Sequence, residues 1–253
     1  VHAPAQTGSD RMLKMMNRGY TVGEYDEFID RCRHHLHQPE IGRPLMLSGD
    51  IIVGFPTETD DDFDATVRLL ERSQYKNCFI FKYSPRPGTV AFDKIPDDVP
   101  ESVKRERNNR LLAVQADISH AIGQDQIGRE FDVLFEGHSR AERKKRGTDV
   151  KPGTGMVSLT VSAAMSSSTA HAQNEPPAQA GGTATLDPAC SADGSSVLET
   201  SSSGPTQLAG RTDGDLIVPV DVPAEANPES MIGTIRRVKI TGGGGLSLAG
   251  ELG

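Results

Sequence analysis

The chain has 253 residues, room for one large or two smaller domains. Its formal net charge of −8 excludes the global basic field that announces nucleic acid, so any RNA contact must come from a local patch. Trp is absent and the hydrophobic fraction is 36%, so part of the chain is expected to build no core. Cys32, Cys78 and Cys190 form neither a disulfide framework nor metal-ligand spacing, which fits a reducing cytoplasm, and no signal peptide or membrane-spanning apolar run is present. The chain opens on Val1 and not Met, and is expected to be a piece of a longer protein.

Val1–Ala5 reads as the stub of a strand, followed by the polar turn Gln6-Thr7-Gly8-Ser9-Asp10 and a short helix around Met12–Met16. Thr21 and Glu24 make a capping box, and Tyr25, Phe28, Ile29, Cys32 and Leu36 form an apolar helical stripe. His34, His35 and His37 share no i, i+4 spacing, so they read as a solvated helix end. Leu45–Val53 is a strand whose apolar run Ile51-Ile52-Val53 suggests burial on both faces. Asp50 inside it needs either a charged partner such as Arg or a water-lined lumen. Gly54 and Pro56 stop the strand, and Thr59 with Asp62 caps a helix over Asp60–Ser73. In α/β folds the carboxyl ends of strands carry the site, so Gly54–Glu58 either lines one or is an ordinary turn.

Asn77–Tyr83 is a further strand, running into the rigid loop Ser84-Pro85-Arg86-Pro87-Gly88-Thr89. That loop is a stiff connector, or it holds Arg86 ready for an anion or a base. Pro100–Gln124 reads as a long helix with Val103, Leu111, Val114, Ile118 and Ile122 inward, and with Lys104, Arg105, Arg107 and Arg110 solvated. Glu130–Gly137 alternates as an antiparallel-type strand. Arg140, Arg143, Lys144, Lys145 and Arg146 then form the one dense basic run, either a loose flank or a phosphate contact. Residues 155–205 are rich in Ser, Ala, Gly, Thr and Pro and are expected to be a disordered insert. Strands at 208–215, Leu216–Val220 and Ile232–Ile240 could close a small OB-like barrel with the one at Phe131, with Arg211, Arg236, Arg237 and Lys239 supplying positive charge. Gly242–Gly253 reads as a flexible tail.

Several of these pieces stand together in order: Gln6-Thr7-Gly8-Ser9-Asp10, Met16-Asn17-Arg18-Gly19-Tyr20-Thr21, Asp50-Ile51-Ile52-Val53-Gly54-Phe55-Pro56 with Glu58-Thr59, and Phe81-Lys82-Tyr83-Ser84-Pro85-Arg86-Pro87-Gly88-Thr89. Together they resemble the radical S-adenosylmethionine methylthiotransferases, above all the branch that acts on tRNA. The resemblance covers Val1–Glu136 and resumes at Leu208–Ile240. It implies an α/β chain in which residues 1–123 are the C-terminal part of a radical (β/α) barrel. Residues 124–241 would then be an RNA-binding TRAM barrel carrying the insert. The implied reaction adds a methylthio group to an isopentenyl-modified adenosine beside the tRNA anticodon. Its implied cofactors are S-adenosylmethionine and four-iron four-sulfur clusters. Its implied partners are tRNA and a sulfur donor or iron–sulfur delivery protein, with no membrane.

On matching positions, Gln6, Ser9, Asp50, Gly54 and Tyr83 would bind the cofactor. Arg18, Arg86, Arg143, Lys144, Lys145, Arg211 and Arg236 would face RNA. The family's Cys-x-x-x-Cys-x-x-Cys triplet is missing, so the chain is expected to be the rear of such an enzyme, with cluster ligands upstream and no radical chemistry of its own. The competing readings are a non-catalytic RNA-binding module and a methylthiotransferase for a ribosomal protein or a different modified adenosine.

Overall fold

A computed structural model describes residues 1–148, 205–245 and 247–253. The insert expected over 155–205, with Cys190, therefore lies outside the described residues, apart from Pro205 itself.

The first half is a small parallel sheet backed by helices. Strand β1 (Ser48–Val53) pairs in parallel with β2 (Asn77–Lys82), in register from Ser48↔Asn77 to Val53↔Lys82. The opening segment lies along the other edge of β1 through bridges His2↔Ser48 and Gln6↔Ile51. The connections are α1 (Asp10–Met15), α2 (Val22–Leu36) and α3 (Asp60–Ser73), with α4 (Val90–Lys94) and α5 (Glu101–Gln124) after β2. Thr21 and Thr59 start α2 and α3 through complete capping boxes, each hydroxyl accepting from the third residue's amide while that residue's carboxylate returns the bond. On α2, Tyr25, Ile29 and Cys32 are buried, while Phe28 and Leu36 stay exposed. The histidines mark that helix's end, and His37 Nδ1 accepts from the Leu45 amide at 3.1 Å.

Burial on both faces of β1 does not hold. Gly49, Ile51 and Val53 are buried against α2, α3 and α5, whereas Ser48, Asp50 and Ile52 are only half-buried. A parallel strand needs cover on both faces to bury a continuous apolar run. Among the described residues, helices cover only one face.

The second half is a closed barrel of β3 (Glu130–His138), β4 (Thr206–Arg211), β5 (Ile217–Val222), β7 (Ser247–Leu252) and β6 (Ile235–Gly244), in that order around the sheet. Phe131, Val133, Phe135, Leu208, Val218, Val220, Val238 and Ile240 fill it, each 3% exposed or less. The tail expected over 242–253 is corrected: β6 runs to Gly244 and β7 closes the barrel. Its glycines are there for close approach. A Cβ on Gly243 would stand 2.2 Å from the Gly123 carbonyl oxygen of α5, and one on Gly250 would stand 2.5 Å from Val238. The loose flank considered for the basic run is likewise corrected. It forms α6 (Arg140–Lys145), capped by Ser139 and anchored by buried Glu142, which accepts from Arg146 Nε at 2.9 Å. Lys76 links the two halves, its ammonium donating to the Gly214 carbonyl at 3.0 Å and to Asp215 Oδ2 at 2.8 Å. No helix among the described residues is long and apolar enough to cross a membrane.

Candidate functional site

The carboxyl edge of the parallel sheet gathers a set of polar side chains around Gly54. Gly54 turns the chain at φ +71°, and its amide donates to Glu58 Oε2 at 2.7 Å. Arg107 of α5 donates to the same carboxylate oxygen at 2.7 Å and to Asp60 at 2.7 Å. Burial pushes the Glu58 carboxyl above its ordinary range, and the Gly54 amide and Arg107 offset this only in part. Thr57 holds φ +70°, which is strained for a β-branched residue. It is fixed there by Arg11, which donates to its carbonyl at 2.6 Å, and by its own amide, which donates to Asp98 at 2.7 Å. Asp62 lies at the centre of this corner. Burial pushes its carboxyl up, but hydrogen bonds from Arg11, Ser9 and Thr59 outweigh that and hold it far below the usual range.

Lys104 covers the edge from α5. Its side chain is 4% exposed, its ammonium donates to Asp97 at 2.7 and 2.5 Å, and it lies 5.3 Å from the centre of the Tyr83 ring. Tyr83 meets Phe55 edge-on at 5.0 Å. Burial raises the Tyr83 phenol, with the Asp97 charge adding to it. The bare face of the sheet carries Asp50, whose Oδ2 lies 3.4 Å from His2 Nε2, while His2 Nδ1 lies 3.0 Å from Ser48 Oγ. The side chain beside Asp50 is thus a histidine and not an arginine. Two clefts of about 310 and 370 Å³ lie around Lys76 and Met46; the larger is lined by His2 and Ser48, and neither takes in Asp50, Tyr83 or the corner around Gly54.

A curated relative from Rhodopirellula baltica, named tRNA-2-methylthio-N(6)-dimethylallyladenosine synthase, is 48% identical over 144 residues, 57% of this chain and 29% of its own length. Relatives of the same name from Porphyromonas gingivalis and Treponema denticola are each 42% identical over 145 residues, again 57% of this chain and 30% and 31% of their own lengths. Over that stretch the chain is homologous to these synthases. It spans about three-tenths of the length of the curated relatives it matches. No protein-family model matches the chain.

In the structure the expected site residues fall into groups. Gln6 and Arg18 come together, Arg18 Nη2 donating to Gln6 Oε1 at 3.0 Å, with Gln6 at φ +69°. Ser9 is spent on the corner, capping α1 and donating to Asp62 at 2.5 Å. Gly54 does not lie open, because the Lys104 side chain fills the place of a Cβ at 2.3 Å. Asp50 and Tyr83 are half-buried, and Arg86 stands exposed. Arg143, Lys144 and Lys145 are exposed on α6, and Lys145 reaches Glu142 at 3.8 Å. Arg211 is paired with Glu136 at 3.1 Å and with Asp215. Arg236 is exposed and in phase with inward Val238 and Ile240, at the barrel rim.

Sequence reasoning missed Lys104 and Arg107, having placed both cations on a solvated face, and took in Glu58 only as the end of the stretch Gly54–Glu58. The structure buries Lys104, Arg107, Leu111, Gln115 and Ile118 as one stripe. The available signal was the i, i+3, i+7 spacing of Lys104 and Arg107 with Leu111, which puts them on the core face of the helix.

Proposed function

We propose that the chain is part of a tRNA methylthiotransferase, adding a methylthio group to an isopentenyl-modified adenosine beside the anticodon by radical S-adenosylmethionine chemistry in the cytoplasm. The observation that carries this is the 48% identity over 144 residues to an enzyme named for making that nucleoside. On this reading residues 1–123 are the C-terminal part of the radical barrel, and 124 onward is a TRAM barrel that grips tRNA.

Four-iron four-sulfur clusters need cysteine thiolates. Among the described residues Cys32 and Cys78 are both buried, and burial pushes the Cys78 thiol up. Nor do any three His, Cys, Asp or Glu side chains among them stand where they could hold a metal ion. The described residues do not fit a cluster, so no step is routed through one and its ligands belong elsewhere in the enzyme.

S-adenosylmethionine suits the bare face and carboxyl edge better, since Asp50 and Tyr83 keep polar atoms within reach of solvent there. When bound it supplies the carbon radical that starts the reaction. The chain's own work is to bind and orient. Asp50 accepts hydrogen bonds, with the His2 ring beside it. Gln6, held by Arg18, offers its amide from the opening segment beside β1. Ser9 and Gly54 act through shape, fixing the corner and admitting Lys104. Arg18, Arg86 and the α6 cations Arg143, Lys144 and Lys145 meet phosphates, with Arg236 at the barrel rim and Arg211 after release from its acids.

The test is to express the complete gene product carrying this chain in a strain lacking its own synthase and to quantify tRNA nucleosides by mass spectrometry. Appearance of the 2-methylthio nucleoside is expected, and its absence from well-expressed protein overturns the proposal. A second reading, an RNA-binding module without catalysis, is favoured by the barrel, which closes within the described residues. It predicts tRNA binding with no methylthio product.

A further inference from the structure

After β2 the chain leaves the sheet as a protrusion over residues 84–95. Every residue from Ser84 to Val90 is exposed. The protrusion is nonetheless stiff. Pro85 and Pro87 fix their backbone angles. The Thr89 amide and hydroxyl both donate to the Arg86 carbonyl, at 3.3 and 2.8 Å. The same hydroxyl accepts from the Phe92 amide at 3.3 Å and so caps α4. Its returning segment is tied down by the bonds from Lys104 to Asp97 and from the Thr57 amide to Asp98.

This stiff element presents apolar side chains to solvent. Val90 is 69% exposed and Phe92 48%, and Phe81 at the protrusion's root is 45% exposed. Exposed apolar groups on one short stretch of chain are candidates for an interaction surface. The charges indicate the kind of partner. Asp97 and Asp98 are spent at the base, whereas Arg86 and Lys94 make no ion pair among the described residues. Asp93 is the remaining acid of the tip. An exposed ring flanked by unpaired cations is the chemistry that holds single-stranded nucleic acid, with a base stacked on the ring and phosphates on the cations.

We propose that Phe92 stacks on an unpaired base of an RNA loop, with Arg86 and Lys94 meeting the flanking phosphates. This rests on the tRNA reading above and adds a stacking residue to it. The tightly held backbone keeps the ring in place, so little order is lost on binding.

The absence of Trp from the chain makes the test direct. Phe92→Trp places a sole indole at the tip, and Phe92 is exposed enough for substitutions there to leave folding intact. The full-length chain is titrated with a short RNA hairpin bearing an adenine-rich loop, and with the same stem as a blunt duplex. The expected results are quenching of the indole by the hairpin but not by the duplex, hairpin binding about tenfold weaker for Phe92→Ala, and binding kept within about twofold for Phe92→Tyr.

If the unaltered chain binds the hairpin and Phe92→Ala binds it equally well, the stacking role is overturned while the tRNA reading stands. If the unaltered chain binds neither RNA, the tRNA reading falls and takes this proposal with it. Indole emission that changes with protein concentration alone, and not with RNA, assigns the tip to a second copy of the chain and overturns the proposal.

Discussion

Arg107→Met isolates the buried charge at the carboxyl edge. The side chains of Arg107 and Glu58 are 8% and 0% exposed, and their ion pair measures 2.7 Å. Methionine keeps the bulk of the arginine stem but removes the charge and the donors to the Glu58 carboxylate and carbonyl. Glu58 is left buried with only the Gly54 amide. Removing one partner of such a pair costs about 3–5 kcal/mol. Because burial already holds the Glu58 carboxyl above its ordinary value, its folded-state contribution is favourable at low pH and is lost as pH rises through that raised value. The cost of Arg107→Met is therefore largest at neutral and higher pH, and shrinks on acidification as Glu58 takes up a proton. Adding Glu58→Gln should recover about 1–3 kcal/mol, because a neutral amide avoids the burial of charge. Urea unfolding followed by far-ultraviolet circular dichroism at several pH values measures the parent and both variants. An Arg107→Met protein within about 1 kcal/mol of the parent at pH 8 would refute the claim that this charge is buried and uncompensated.

Asp62→Asn should cost about 1–2 kcal/mol near neutrality, since Arg11, Ser9 and Thr59 all bond to the carboxylate. Its depressed folded value means that stability is present above the unfolded carboxyl value and is lost as pH falls through the acid range, so an acid titration of the variant should be flatter than the parent's. Gly243→Val should destabilise by about 2 kcal/mol or more in thermal unfolding, because the Gly123 carbonyl oxygen stands 2.2 Å from any Cβ there. Replacing Arg143, Lys144 and Lys145 together by Gln should lower the slope of log affinity against log salt for tRNA by about 2, and an unchanged slope would remove α6 from the RNA contact.

Local rules made most of the elements legible in the sequence. The two capping boxes set where α2 and α3 begin, and the alternation of Phe131, Val133 and Phe135 against Asp132, Leu134 and Glu136 declared β3. The failures came where a residue type was read by its average behaviour. Glycine enrichment at 242–253 resembled slack, yet Gly243 and Gly250 sit where only a missing side chain lets α5 and the barrel strands approach. Lys104 and Arg107 resembled solvated charges, yet each is buried with an acid from outside its helix, Lys104 with Asp97 just ahead of it and Arg107 with the distant Glu58. Composition cannot reveal such pairs, because what decides burial is whether a partner stands at hydrogen-bonding distance after folding. The same reasoning separates the expected site residues. Ser9 and Gly54 have their polar groups or space already taken by Asp62, Glu58 and Lys104, so a ligand can use them only through the shape they enforce. Asp50 sits on a strand face that no described helix covers, with a histidine and not a buried arginine beside it. Its half-buried carboxylate is not tied into the packed corner and stays within reach of solvent, open to a polar ligand. That makes Asp50, among the residues expected to touch the cofactor, the one whose substitution should affect binding more than folding.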